Sequence, residues 1–455
     1  MKQDLLTKYS IPVPRYTSYP PANFFNESFT ADSYKQAIIE SNGQNPQHIS
    51  IYIHIPFCFQ MCYYCGCNSQ LLKDTQIADN YIDTLKKEIR MVLPLLDHSR
   101  KISQIHYGGG TPTSQPVSVL KELNRMILSE FDCIEEPEIA IECHPGYMDE
   151  AYWNELIDAG FNRISIGVQD FNEEVLKTSN RKSSRMPIED IVKILRDKGL
   201  SLNMDFIYGL PLQTVESFAE TINKAITLKP DRIVTFSYAH VPWVNELQKK
   251  LEEAGLPSLT MKNEIYETAK NLLVNAGYKT IGLDHFVLPE DELYEALETK
   301  TLHRNFQGYC TRRTTGQVYA FGITGISQLA TAYSQNTKDL NTYILQVNAG
   351  IYPTAKGYIL SEEEQITREV ISELMCNYTV NWNDISHRMN TFVPKIKSAL
   401  NYNHKILNDF AEDGIIEFDE THITVLPEAA PFVRNVAASL DKLMLNSEKR
   451  YSKSI

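Results

Sequence analysis

The sequence predicts an α/β fold: a (β/α) barrel, complete or partial, with a short N-terminal arm and a mainly helical C-terminal domain that contains a small hairpin. Three observations predict it. From about residue 48, short apolar runs alternate with amphipathic stretches; the alternation stops near residue 360; and a cluster of cysteines follows the first run at once. Strand–helix alternation at this spacing indicates right-handed βαβ units and a parallel sheet. The expected divisions are an arm over 1–40, a barrel core with extension strands over 41–350, and the helical domain over 351–455.

The arm is marked by Pro14-Arg15-Tyr16-Thr17-Ser18-Tyr19-Pro20, a proline-bounded aromatic segment that suits neither helix nor strand and reads as packed on the barrel. Strand-like runs follow at 49–55, 102–107, 138–142, 163–168, 202–207 and 233–238. Helical patterns at 77–96, 117–131, 150–159, 188–198 and 215–228 separate them, and further strand-like segments stand at 279–286 and 318–323. In a barrel, the chemistry sits on the loops after the C-terminal ends of the strands. An open Rossmann-type sheet is the runner-up, but no GxGxxG follows a strand.

Beyond residue 360, Ser361 and Glu364 form a capping box for a helix running to about Tyr378. A second helical stretch over 393–411 leads to Gly414, a hairpin of 415–418 and 423–426, and a last helix from Pro427. Helices followed by a hairpin resemble a winged helix. Residues 361–455 carry 10 basic and 15 acidic side chains, however, so a lid or docking module fits better than DNA binding.

The 455 residues are 43% hydrophobic and 22% charged, an ordinary globular composition. With 44 Lys and Arg against 57 Asp and Glu, the net charge is −13, which argues against a general binder of nucleic acid or anionic membrane. No run approaches the ~18 apolar residues of a membrane span, and residues 1–14 lack the apolar core of a signal peptide. The expectation is a soluble, cytoplasmic protein.

Four of the eight cysteines fall in Cys58-Phe-Gln-Met-Cys62-Tyr-Tyr-Cys65-Gly-Cys67. In a reducing compartment such a cluster reads as metal ligation. Thiolates spaced C-x3-C-x2-C can ligate three irons of one cubane cluster and leave the fourth open, whereas electron-transfer clusters usually close all four positions with Cys. Cys67 is then a thiol beside the cluster. A zinc site using Cys58, Cys62, Cys65 and Cys67 is the alternative, although zinc cysteines more often come as two separated pairs.

Polar groups gather at the expected mouth. Gly108-Gly109-Gly110 ends the second strand and lets backbone approach a ligand, though a glycine triplet is also a common turn. Glu142, Gln169, Asp170 and Asp205 end three further strands. His303-Arg304-Asn305-Phe306-Gln307-Gly308-Tyr309, followed by Arg312 and Arg313, could pair with anionic groups or form an exposed loop.

The cysteine spacing between a first strand and a helix resembles the radical S-adenosylmethionine (SAM) superfamily. That resemblance implies a partial barrel, one 4Fe-4S cluster with three Cys ligands, and SAM chelating the open iron. Reductive cleavage of the SAM then yields a 5′-deoxyadenosyl radical. Taken with the arm, His54-Ile-Pro-Phe-Cys58, Cys65-Gly-Cys67-Asn68, residues 108–113, Gly167-Val-Gln-Asp-Phe171, Tyr208-Gly-Leu-Pro211, Tyr238-Ala239-His240 and residues 303–309, the chain resembles the oxygen-independent coproporphyrinogen III oxidase family from about residue 8 onward.

The family implies conversion of two propionates of coproporphyrinogen III to vinyl groups, giving protoporphyrinogen IX in haem biosynthesis, with two SAM molecules bound. Tyr52, Gly109, Glu142 and Ile326 match positions contacting the first SAM. Tyr64, Gly110, Thr111, Gln169, Arg181, Asp205 and Ala239 match positions contacting the second. The resemblance also implies a reduced flavodoxin or ferredoxin-type donor, and the expected state is a monomer. Arg15, His303, Arg304, Phe306, Gln307, Arg312 and Arg313 are the substrate candidates, because four carboxylates need basic partners on an acidic protein. The sequence departs from the family at Cys143-His144, where Val-Asp is common, and at Thr324-Gly325, where Ser-Ala is common. A paralogue acting on another tetrapyrrole, or a haem-binding carrier, is the alternative.

Overall fold

A twelve-stranded sheet frames the protein in the computed structural model, which describes Leu5, residues 8–445, Lys449 and Tyr451. Six neighbouring strands run parallel in chain order: β1 (Ile49–Ile55), β2 (Ile102–Gly109), β3 (Cys133–Cys143), β4 (Arg163–Gln169), β5 (Ser201–Tyr208) and β6 (Arg232–Ser237). A hairpin of β7 (Lys279–Ile281) and β8 (His285–Val287) continues the sheet antiparallel beyond β6. A separate hairpin, β9 (Leu302–Asn305) and β10 (Gly308–Thr311), stands apart from the sheet. On the other flank β11 (Gln317–Phe321) pairs parallel with β1, and β12 (Ile326–Gln328), β13 (Ala332–Asn336) and β14 (Thr354–Ile359) complete an antiparallel ribbon. The expected partial barrel is the fold.

Alternation explains why these segments are strands. In β1, Ile49, Ile51, Ile53 and Ile55 are fully buried and pack with Tyr81, Ile82, Leu85 and Ile89 of helix α1 (Thr75–Val92). Ser50, Tyr52 and His54 turn to the other face. The registers Tyr52↔His106, Glu142↔Ser165 and Ser165↔Asn203 carry that second face across the barrel, so its interior is polar. Each aliphatic residue removed from water contributes roughly 1.5–3 kcal/mol, and the outward stripe holds the barrel to its helices.

Several expectations change on folding. The strand expected at 279–286 is the β7–β8 hairpin, because Gly282 turns at φ +62° where an added Cβ would strike the Tyr309 ring. The helix expected over 393–411 is two helices, Val393–Ala399 and His404–Glu412: Leu400 is extended (φ −95°, ψ 163°), and the Asn403 side chain caps the second. Thr379–Asn381 adds an unforeseen strand to the C-terminal hairpin of Ile416–Phe418 and His422–Val425. The capping box at Ser361 and Glu364 opens Glu362–Asn377 as expected.

The arm does not pack chiefly on the barrel. Tyr9, Tyr16 and Tyr19 join the core of the C-terminal helices. Asp441 accepts hydrogen bonds from Tyr16 at 2.9 Å and Tyr19 at 3.1 Å, and Arg434 donates to the carbonyls of Val13 and Pro14. Residues at the far ends of the expected arm and C-terminal domain (1–4, 6–7, 446–448, 450 and 452–455) lie outside the described residues.

One buried carboxyl sets the turn after β11. Glu88 of α1 accepts from the Gly322 amide (2.8 Å), Asn336 Nδ2 (2.7 Å) and Tyr343 hydroxyl (2.6 Å). Burial, against these hydrogen bonds, pushes its pKa from 4.5 to about 7. The folded state therefore holds a proton that the unfolded chain releases. The resulting stability is complete below pH 4.5 and is lost as pH rises through 7, a difference of roughly 3 kcal/mol. Thermal unfolding followed from pH 5 to 8 should show a declining melting temperature, and Glu88→Gln should flatten that decline. Glu88→Ala, which strands three donors, should lower the melting temperature at every pH.

Candidate active site

The residues singled out at the strand ends converge above the barrel. The cysteine loop leaves β1 and is pinned on three sides. Gly110 and Thr111 amides donate to the carbonyls of Ile55 and Phe57 at 2.8 and 2.9 Å. Gln60 Nε2 donates to the carbonyl (3.0 Å) and Oδ1 (2.8 Å) of Asn180, whose Nδ2 donates to the Met61 carbonyl at 2.8 Å. From the third side, Asn245 Nδ2 donates to the Cys65 carbonyl (2.8 Å) and Gln248 Nε2 reaches the carbonyls of Tyr64 (3.4 Å) and Ala239 (3.2 Å).

Each thiol meets a polar hydrogen. Thr111 Oγ1 donates to Cys58 Sγ at 3.4 Å, Arg181 Nη1 to Cys62 Sγ at 3.9 Å, and the Cys67 amide to Cys65 Sγ at 3.4 Å. Hydrogen bonding from Cys67 pulls the Cys65 thiol down to about 6, while burial pushes Cys58 up to about 11. Cys58 and Cys62 are buried, Cys65 is partly exposed and Cys67 exposed. Among the described residues no three His, Cys, Asp or Glu side chains close on a point that could hold a single metal ion. Three separated thiols, each with its own donor, suit a polynuclear cluster better than a mononuclear zinc site.

Two cavities adjoin the loop and share Glu142. One, of about 260 Å³, is lined by Tyr52, Gly109, Glu142 and Ile326, together with Cys67, Phe306 and Gln307. The other, of about 100 Å³, is lined by Gly110, Thr111, Glu142, Gln169, Arg181 and Asp205, together with His144. The two sets matched to two SAM molecules thus fall largely in two neighbouring cavities; Tyr64 and Ala239 stand at the cysteine loop instead. Only glycine serves at 109, with φ +115° and the His54 ring 2.7 Å from an added Cβ.

Polar contacts prepare both cavities. Tyr52 hydroxyl lies 3.2 Å from His54 Nδ1, and the Tyr52 ring stacks on His106. His106 Nε2 lies 3.1 Å from Glu142 Oε1; burial opposes protonation of the ring, but Glu142 outweighs it and raises the pKa. Asp205 accepts from Ser165 (2.9 Å) and Asn203 (2.9 Å), and burial with the charge of Glu142 pushes it up to about 6. Gln169 holds φ +71° at the end of β4. Tyr64 hydroxyl, Asn68 Nδ2, Gln169 Oε1, His144 Nε2 and both amide atoms of Gln307 are buried with no protein partner. Buried polar atoms are rarely left so, and this concentration fits a polar ligand.

The departure at Cys143-His144 lands inside this site. Cys143 is buried in the apolar core and borders the Arg181 cavity; His144 lines the same cavity, where burial and Arg181 depress it to about 2. Its Nδ1 accepts from the Gly146 amide at 3.1 Å, which leaves the proton on Nε2 as a free donor. Thr324, the other departure, lines the first cavity at φ +59°.

The basic candidates divide. Phe306 and Gln307 line the first cavity, and Arg304 sits over the Tyr309 ring at 4.8 Å. Arg312 is not available to substrate: its Nη2 is bound to Glu369 (3.0 Å) and Glu373 (2.7 Å). His303 is depressed to about 4 by burial and Arg312, and lies in that same cluster. Arg313 pairs with Glu292 (3.1 Å) in a cleft at the N-terminal ends of the strands, away from the cysteines. Arg15 is exposed and acts electrostatically on Lys262, Tyr208 and Asp284 near the mouth. Sequence reasoning missed His106, Ser165, Asn203 and Lys262; the first three share the inward parity of Glu142 and Asp205, a signal that was there to be used.

Comparison with known proteins agrees with this geometry. The model of the radical SAM superfamily matches residues 52–225. The oxygen-independent coproporphyrinogen III oxidase of Helicobacter pylori is 38% identical over 452 residues, covering 99% of this chain and 98% of that protein. The one from Escherichia coli is 38% identical over 440 residues, covering 96% and 94%. A solved structure of coproporphyrinogen III oxidase from Escherichia coli, described as a radical SAM enzyme, superimposes with a TM-score of 0.87 at 36% identity, covering 97% of this chain and 99% of that one.

Replacing Cys58, Cys62 or Cys65 singly by Ala should reduce the iron and sulfide of anaerobically reconstituted protein to background. Cys67→Ala should retain both. Loss of metal in all four variants alike would instead indicate a four-cysteine site.

Proposed function

The chain belongs to the oxygen-independent coproporphyrinogen III oxidases, radical SAM oxidoreductases of haem biosynthesis, and from that premise we propose how its residues serve the reaction. The substrate is coproporphyrinogen III, which undergoes oxidative decarboxylation without oxygen. We assign the cluster to Cys58, Cys62 and Cys65, and two SAM molecules to the two cavities that share Glu142. Bound there, cluster and SAM supply one-electron chemistry able to abstract hydrogen from a propionate.

The chain's own contribution is orientation and exclusion of water. Glu142, Gly109, Tyr52 and Ile326 would hold the first SAM, the Glu142 carboxylate accepting from its hydrogen-bond donors and Tyr52 and Ile326 confining it. Arg181, Gln169 and Asp205 offer charge and hydrogen bonds to the second, and His144 Nε2 adds a donor that the family's usual aspartate could not supply in its ionised form. Phe306 and Gln307 meet the ring system beside Cys67. Arg15 and Lys262 give unreacted propionates a basic rim, the role first expected of Arg312 and Arg313. The observation that carries this reading is the pair of cavities beside three separated thiols, surrounded by buried polar atoms without protein partners. A flavodoxin or ferredoxin-type protein delivers the electron, and the monomer contains the whole site.

Anaerobic incubation of reconstituted protein with dithionite, SAM and coproporphyrinogen III should give the divinyl product with release of 5′-deoxyadenosine; full cluster occupancy without vinyl product would sink the reading. Arg15→Gln should raise KM for coproporphyrinogen about tenfold, the size expected for losing one charge-assisted contact, with little change in kcat. Steady-state kinetics at saturating SAM would measure the split.

A further inference from the structure

Among the described residues, Glu142 alone lines both cofactor cavities and also a third cavity, of about 150 Å³, inside the barrel. A glutamate side chain has several rotatable bonds, and nothing in β3 itself decides which cavity the carboxylate faces. Burial does not decide it either, because 45% of the side-chain surface is accessible.

One side chain among the described residues bonds that carboxylate. It is His106 of β2, whose Nε2 stands 3.1 Å from Glu142 Oε1. The pairing follows from the sheet: β2 and β3 are parallel neighbours, and His106 shares the inward face with Gly108 two residues on. Gly108 supplies the space, since an added Cβ would lie 2.8 Å from Glu142 Oε1 and 3.1 Å from the Tyr52 hydroxyl. The imidazole is held in turn by the Tyr52 ring, stacked on it with centroids 6.0 Å apart and planes within 17°.

The barrel interior offers the carboxylate a competing position. That third cavity is lined by Arg163 and Arg232, together with Glu138, which they hold at 2.8 and 3.6 Å. Arg163 Nη1 is buried with no protein partner. A carboxylate free to turn is drawn toward such a guanidinium and away from the cofactor cavities.

We propose that His106 is a positioning residue: it holds Glu142 at the junction of the two cofactor cavities and keeps it out of the barrel interior. The inference rests on assigning SAM to the cavities that share Glu142. An acceptor fixed beforehand loses no rotamer freedom when its ligand arrives, whereas a mobile one must be ordered first. Loss of His106 therefore falls on SAM affinity, and on both sites together, because one carboxylate serves both.

Substitutions of His106 separate its donor from its ring. His106→Phe keeps the volume and the stack on Tyr52 but removes the donor. His106→Gln removes the ring but keeps an Nε2 donor of similar reach. His106→Asn is polar but too short to reach Glu142, and serves as a second donor-free variant. Iron content and melting temperature are measured on each anaerobically reconstituted holoenzyme, SAM is titrated against it by calorimetry, and steady-state kinetics follow. The Phe and Asn variants should retain the cluster and raise the dissociation constant for SAM about tenfold or more, the size of losing one hydrogen bond to a charged group. KM for SAM should rise in step, with kcat at saturating SAM within about threefold of wild type. His106→Gln should bind SAM within about threefold of wild type.

Wild-type SAM affinity in the Phe and Asn variants would overturn the proposal. An equal loss in His106→Gln would also overturn it, since the ring and not the donor would then matter. So would loss of the cluster in both donor-free variants, which would make the role of His106 structural. Failure of the wild-type holoenzyme to bind SAM would overturn the assignment of the cavities, and the proposal with it.

Discussion

The constraint on which the rest of the structure depends is the two-residue period of the barrel strands. One parity is aliphatic and is driven out against the helices: Ile51 and Ile53, Ile105, Ile141, Ile164 and Ile166, Leu202 and Met204. The other parity is thereby committed to the interior, where it places Tyr52, His106, Glu142, Ser165 and Asp205. A one-residue slip would exchange the two sets and bury the polar groups among helices that offer them no partners. Fold and site are thus specified by the same alternation. This barrel departs from the usual arrangement in which branched aliphatic layers fill the interior.

The cysteine loop shows how an irregular, uncharged segment is given one conformation. It has little secondary structure of its own, and its backbone groups are satisfied by side chains and amides from three other loops. Thr111, Arg181 and the Cys67 amide turn polar hydrogens toward the sulfurs of Cys58, Cys62 and Cys65. Two of the three pinning loops, those of Gly110–Thr111 and Asn180–Arg181, also line a cavity, so the loop and that cavity are held by the same segments. The Glu88 network does the equivalent work at the turn that carries Thr324 and Ile326.

Strand order, helix spacing, the cysteine loop and the polar residues gathered at the strand ends were legible because each rests on local periodicity or fixed spacing. The arm, the 279–286 hairpin and the break at Leu400 were not. Their conformations are set by Asp441, Tyr309 and the C-terminal helices, partners distant in sequence. Two of the basic substrate candidates were misplaced for the same reason: Arg312 and Arg313 look free in sequence, and only the fold brings Glu369, Glu373 and Glu292 to them. His106, Ser165 and Asn203 were readable in principle, since the parity that picked out Glu142 and Asp205 also marks them.

By itself, the sequence determined the barrel, the three-thiol loop and the polar parity of the strands, because periodicity and spacing are properties of a single segment. Only the tertiary structure decided which charges are spent on one another and which remain at the surface. It paired Arg312 and Arg313 with Glu369, Glu373 and Glu292, and set His144, with its Nε2 unpartnered, in the lining of a cavity. Charge pairing depends on distances between segments far apart in the chain, and those distances do not exist until the sheet closes and its helices dock.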